Sequence, residues 1–163
     1  MWKLLNNNRG LTLIELVVTM VILGILSALI LPSARMTNTR TKEIELRRNL
    51  REIRTAIDNY KKYYDKAVAE GKIVAVLNKS GYPETLQTLV DGYDFGGVIP
   101  YKMKFLRKIP QDPFHPVEGD DPRWGYRSYF DEPDSSTWGG EDVFDVYSLS
   151  DGVAIDGTKY KDW

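Results

Sequence analysis

The longest unbroken apolar stretch of the chain lies between Gly10 and Pro32, G-LTLIELVVTMVILGILSALIL-P. From Leu11 to Leu31 the side chains are apolar or small, with Glu15 the one exception. As a helix this run is about 31 Å long at about 1.5 Å per residue, enough to cross a hydrocarbon core. Two positions weaken it. Gly24 costs about 1 kcal/mol relative to alanine. Pro32 lacks an N–H and crowds the preceding turn, which predicts a kink or a new segment there. A span with both predicts a helix able to stretch or locally unwind.

A second pattern follows the polar patch Thr37-Asn38-Thr39-Arg40-Thr41. Leu46, Leu50, Ile53, Ile57, Tyr60 and Tyr64 recur in steps of four and three, one stripe of an amphipathic helix. Arg47, Arg48, Arg51, Arg54, Asp58 and Lys61 cover its other side. The stripe is too short for a sustained coiled coil. It predicts a stalk helix whose later turns pack on a head, with the tyrosines as core, and Gly71 is its expected end. Beyond it, Tyr82 to Gly92 predicts a short helix with Pro83 in its first turn and Gly92 at its close. Gly96-Gly97 and Pro100 mark loops, and Lys108 to Phe114 an extended, turn-rich connection. Gly125–Phe130 and Val143–Leu149 are rich in aromatic and β-branched residues and predict two strands, with a polar loop from Asp131 to Gly140 between them. The expected parts are residues 1–10, a span at 11–34, a stalk helix at 35–70 and a head at 71–163. The fold class is α+β: a long N-terminal helix, hydrophobic and then amphipathic, packed on a small antiparallel sheet with a C-terminal loop.

Charge sharpens this picture. The net charge is −1, but it is unevenly spread. Residues 35–72 are basic, and residues 112–163 are acidic. Such asymmetry can bring opposite faces of neighbouring molecules together, or it can describe two solvated surfaces. The chain has no cysteine, which excludes a disulfide framework and leaves packing or metal as the means of stapling the head. Lys3 and Arg9 precede the apolar run and Arg35, Arg40 and Lys42 follow it, so the charge rule does not by itself favour a cytoplasmic N-terminus.

Glu15 is the informative residue. A carboxylate at the centre of a bilayer helix costs about 2.5–3.5 kcal/mol and usually has a partner. A plain anchor leaves it unexplained. A secretory signal fits poorly, because the run exceeds the usual core of roughly 7–15 residues and Pro32-Ser33-Ala34 is a poor cleavage tripeptide. Cleavage between Gly10 and Leu11 would instead place a new amine one helical turn from Glu15. Arg9-Gly10-Leu11-Thr12-Leu13-Ile14-Glu15 resembles the processing site of type IV pilins and type II secretion pseudopilins, with leucine where phenylalanine or methionine often stands. In that superfamily a short leader is removed after the glycine, the new amine (here that of Leu11) is methylated, and the fifth mature residue is glutamate. Counting from Leu11 makes Glu15 the fifth. Pro32 falls where many members bend. The order of Gly81-Tyr82-Pro83, Ile109-Pro110-Gln111-Asp112-Pro113-Phe114, Trp124-Gly125, Asp145-Val146-Tyr147-Ser148-Leu149 and Asp151-Gly152 is similar to major pseudopilins, and extends the resemblance over nearly the whole chain. Type IV pilins, the alternative, usually close their C-terminal loop with a disulfide.

The resemblance implies a single-span protein of the bacterial inner membrane with a periplasmic head. It implies processing by a prepilin peptidase, then stacking of copies of the chain, with minor pseudopilins, into a short filament. An inner-membrane assembly platform and its ATPase would drive that stacking toward an outer-membrane secretin, and no nucleic-acid partner is expected. A DNA-binding minor pilin would draw on the basic stalk, but that stretch is poor in aromatics. For the tail, Asp151-Gly152 and Asp156-Gly157 taken bare are turn signals. Carboxylates with glycine turns also suit calcium, although the spacing is not that of an EF-hand. The resemblance implies a structural Ca²⁺ held by the Leu149 backbone carbonyl, Asp151 and Asp156, with Asp162 as a further ligand. In this chain the leucine-to-aspartate segment is one residue shorter than usual, and the family's adjacent aspartate pair is replaced by Lys161-Asp162-Trp163. No enzyme is expected. The one histidine, His115, has no cysteine partner and no HExxH context, and no Walker or dinucleotide loop is present.

Overall fold

The computed structural model describes residues 11–76, 79–98, 100–115 and 124–163, with the side chains of residues 28–35 outside the description. Two compact units are distinguished, one up to Thr39 and one from Arg40 to Trp163. Helix α1, Leu13–Ala69, contributes to both. It is followed by α2, Leu86–Asp91, strands β1, Gly125–Arg127, and β2, Asp145–Tyr147, and a 3₁₀ turn at Tyr160–Asp162. The α+β class expected from the pattern is the one observed.

In the first unit the helix begins with a local device. Thr12 precedes the first helical residue, and its Oγ1 accepts the backbone N–H of Glu15 at 3.3 Å, the N-cap arrangement that satisfies one orphan donor of a helix start. Thr19 turns its hydroxyl back to the Leu16 carbonyl at 2.9 Å, so its polar group is satisfied within the helix. The backbone is helical through Pro32, and no new element begins there.

The second unit is built on the stripe. Leu46, Leu50, Ile53, Ile57 and Tyr60 are buried, joined by Ala56 and Ala67. Tyr60 sits at the centre of an aromatic cluster, edge-on to Tyr93, Phe95 and Phe105 with centroids 5.3–5.7 Å away. Such pairs add about 0.5–1.5 kcal/mol beyond their burial. Gly71 closes the helix with φ +67°. Its N–H bonds the Val68 carbonyl at 3.0 Å and that of Lys72 the Ala67 carbonyl at 2.9 Å, the paired bonds of a Schellman end.

The sheet is two-stranded and antiparallel, pairing Gly125 with Tyr147, Tyr126 with Val146 and Arg127 with Asp145. Both strands are shorter than expected. After Arg127 the backbone donors leave the ladder. Ser128 N–H goes to Asp131 Oδ2 at 2.7 Å and Tyr129 N–H to Asp142 Oδ1 at 2.9 Å. Helix α2 is also shorter, because the segment before it is used elsewhere. The Pro83 carbonyl accepts Val143 N–H at 2.8 Å, and Ser80 Oγ accepts Tyr82 N–H at 3.3 Å. Pro83 thus lies ahead of the helix rather than in its first turn.

Candidate assembly helix and tail

Every large apolar residue from Leu11 to Leu26 is exposed, from 45 % at Leu16 to 83 % at Leu13. A helix apolar on all faces is stable only when something covers it. Among the described residues no helix is long and apolar enough to cross a membrane; the last residues of the run belong to the segment whose side chains are not described. Glu15 sits in the first turn, where a carboxylate is favoured by the helix dipole. Among the described residues no hydrogen bond or ion pair reaches its side-chain oxygens. Leu11 is 72 % exposed at the head of the same run. Residues 1–10, with Lys3, Arg9 and Gly10 among them, lie outside the described residues, as does the Pro32 side chain.

The tail is organised by the stalk helix. Glu43, Arg47 and Arg54 are spaced four and seven along α1, hence on one helical face. Glu43 Oε1 accepts the Ile155 N–H at 2.8 Å and the Tyr160 hydroxyl at 3.1 Å. Arg47 Nη2 reaches Asp156 Oδ2 at 3.0 Å, and its guanidinium carbon lies 3.8 Å from the Trp163 ring centre. Arg54 donates to Asp145 Oδ1 at 2.7 Å, to the Val146 carbonyl at 3.0 Å and to the Trp163 backbone oxygen at 2.8 Å. Tyr160 is buried and stacks on Phe114 with centroids 4.0 Å apart. Burial, then the Glu43 hydrogen bond, push its hydroxyl up to about 12.

The residues named for calcium are not drawn together. Leu149, Asp151, Asp156 and Asp162 are all described and all exposed. Among the described residues no group of three or more acidic or histidine side chains could hold a metal ion. Asp156 is committed elsewhere: Oδ1 accepts the Thr158 N–H at 3.0 Å and the Thr158 hydroxyl at 2.6 Å, while Oδ2 takes Arg47. The Thr158 bonds first, and Arg47 after them, hold its carboxyl below the usual range. As folded here, these residues do not fit a calcium ion. Arg47 and Arg54, expected on the outer side of the stalk, reach across to the head and tail instead, as does Glu43, and nothing local in the sequence signals these distant partners. Part of the charge asymmetry is satisfied within one chain.

His115 closes a turn through its backbone N–H to the Asp112 carbonyl at 3.3 Å. Asp112 is buried and accepts the Ser148 hydroxyl at 2.5 Å and the Phe114 N–H at 2.8 Å. These bonds order the Pro110–Phe114 connection against the end of β2.

An apolar helix exposed on all faces, with one acid in its first turn, and a head with its own core define a chain whose N-terminal helix is covered by something outside its own fold. The description "Prokaryotic N-terminal methylation motif" matches residues 5–31. The chain is 30 % identical over 142 residues to the type II secretion system core protein G of Pseudomonas aeruginosa, covering 86 % of this chain and 81 % of that one. The proteins of the same name from Klebsiella pneumoniae and Pectobacterium carotovorum are 29 % and 27 % identical, over 68 % and 65 % of this chain and 71 % and 62 % of theirs. The chain belongs to this family, the major pseudopilins. No solved structure matches it.

Proposed function

We propose that the chain is the structural subunit of a type II secretion pseudopilus, which polymerises through its N-terminal helix to drive protein export across the outer membrane. The observation that carries this reading is the outward-facing apolar surface from Leu11 to Leu26 with Glu15 at its start. Prepilin peptidase cuts between Gly10 and Leu11, and the new amine of Leu11 is methylated. The processed protein waits in the inner membrane with its head in the periplasm, then stacks with its apolar helix along the filament axis. There the Leu11 amine of one subunit faces Glu15 of a neighbour. Opposite charges about 4 Å apart attract by about 4 kcal/mol at an effective dielectric near 20, before desolvation is subtracted. A subunit out of register leaves both charges unpaired among apolar side chains, so the pair sets the stacking. Pro32 and Gly24 supply the give that packing the helix demands. The chain contributes no catalytic step; an assembly platform and its ATPase supply the energy, and minor pseudopilins and an outer-membrane secretin complete the path.

Replacing the genomic copy with Glu15→Ala tests this. The expected result is membrane-associated protein at normal levels, no filaments on overexpression, and exoproteins retained in the periplasm. Filaments and export at wild-type levels would overturn the pairing of Glu15 with the mature amine.

A further inference from the structure

The Asp156 loop has the composition of a cation site and the geometry of a site already filled. Both carboxylate oxygens of Asp156 are engaged, Oδ1 by the two Thr158 donors and Oδ2 by Arg47. The Thr158 hydroxyl also accepts the indole N–H of Trp163 at 2.7 Å. That indole ring is the one on which the Arg47 guanidinium lies. Arg47, Asp156, Thr158 and Trp163 therefore form a closed circuit of contacts around one positive charge. Glu43, one turn earlier on the helix, takes the next two donors of the tail, Ile155 N–H and the Tyr160 hydroxyl.

We propose that the Arg47 guanidinium, stacked on Trp163 and paired with Asp156, stands in for a divalent cation and orders the tail of the head without calcium. The Arg47 and Asp156 side chains are 52 % and 50 % exposed, and an isolated pair so exposed contributes little. The circuit changes that. The planar guanidinium is held by a ring face on one side and a carboxylate at its edge, a geometry a lysine does not reproduce. The charge arithmetic also fits. A calcium ion compensates several carboxylates at once, whereas one guanidinium compensates one, and among the described residues Asp156 is the tail carboxylate it meets. Asp151 and Asp162 are left to solvent, which accepts them at no cost because they are exposed. A cation carried on the chain cannot be removed by chelation.

The test uses the full chain in detergent micelles, with thermal melting and limited trypsin cleavage at Lys159 and Lys161. A bound ion that stabilises only the folded state must lower the melting temperature when chelated. The expected result is no change in melting temperature or cleavage rate between EDTA and millimolar calcium. Arg47→Gln and Asp156→Asn should each speed tail cleavage several-fold, and the double variant no more than the faster single one. Arg47→Lys should fail to restore protection. The proposal is overturned if EDTA lowers the wild-type melting temperature, or if both single variants are cleaved at the wild-type rate. Neither readout depends on filament formation, so the outcome is separate from that of the Glu15 experiment.

Discussion

From Leu11 to Leu26 each large apolar side chain is at least 45 % exposed, whereas Leu46, Leu50, Ile53, Ile57 and Tyr60 are at most 4 % exposed. Both segments belong to α1. The difference lies in what the chain supplies for each to pack against. The later stripe meets Leu86, Leu89, Phe95, Leu106, Trp124 and Val146 in one core. The earlier run must find its cover in lipid or in other subunits. Polar groups divide the same way. In the head, among the described residues, no buried side-chain nitrogen or oxygen lacks a hydrogen-bond partner, and buried Asp142 accepts both Ser80 Oγ and Tyr129 N–H. One region is covered by its own fold and the other by something outside it.

The sharpest way to break this contrast is to truncate one side chain in each region. Ile57→Ala removes a fully buried residue from the core and should cost about 2–5 kcal/mol, read by denaturant unfolding of the head in micelles. Val21→Ala, 56 % exposed, should leave that unfolding within about 0.5 kcal/mol of wild type. Equal costs would mean that the apolar run is covered within a single chain.

A smaller effect is expected at Gly125. A Cβ there would lie 2.2–2.6 Å from three atoms of the Tyr147 ring, which covers the strand at its paired residue. Gly125→Ala should destabilise the head by about 1–3 kcal/mol, the usual cost of overpacking. Gly125→Ala combined with Tyr147→Leu should recover part of that loss in the same unfolding measurement.

The smallest effect is confined to alkaline solution. Tyr160 is held neutral by burial and by Glu43, its folded value near 12 against 10.0 unfolded. The folded chain therefore keeps a proton that the unfolded chain has lost, and unfolding releases it. This contribution is fully present below pH 10 and is lost as pH rises through about 12. Melting temperatures at pH 9, 10, 11 and 12 should fall less steeply for Tyr160→Phe than for the wild type. Parallel curves would show that the hydroxyl is not held neutral by burial and Glu43.

The stripe of α1 was legible because burial on one face imposes a repeat that no other arrangement of Leu46, Leu50, Ile53, Ile57 and Tyr60 explains. Glu15 stood out for a related reason: one charge in an apolar run cannot be averaged away. The strand ends were not legible. Ser128 and Tyr129 have strand-forming neighbours, yet their N–H groups are taken by Asp131 and Asp142, which in sequence look like loop acids. Asp131 carries more of that loop than its composition suggests. Its carboxyl is held below the usual range by the N–H groups of Ser128 and Gly139. The Arg47–Asp156 contact escaped for want of local information. Arg47 and Asp156 are 109 positions apart, and a basic helix face alone does not say which of its charges has a partner across the fold.

Asp145 gives the head its mechanical character. It takes Arg54 of the helix at 2.7 Å and Arg127 of the adjoining strand at 3.4 Å, so one carboxylate rivets two elements. A shear of this stretch of helix against the sheet meets that rivet together with the Arg54 bond to the Val146 carbonyl. Load that reaches this part of the helix is therefore shared between the two paired strands rather than borne by one of them.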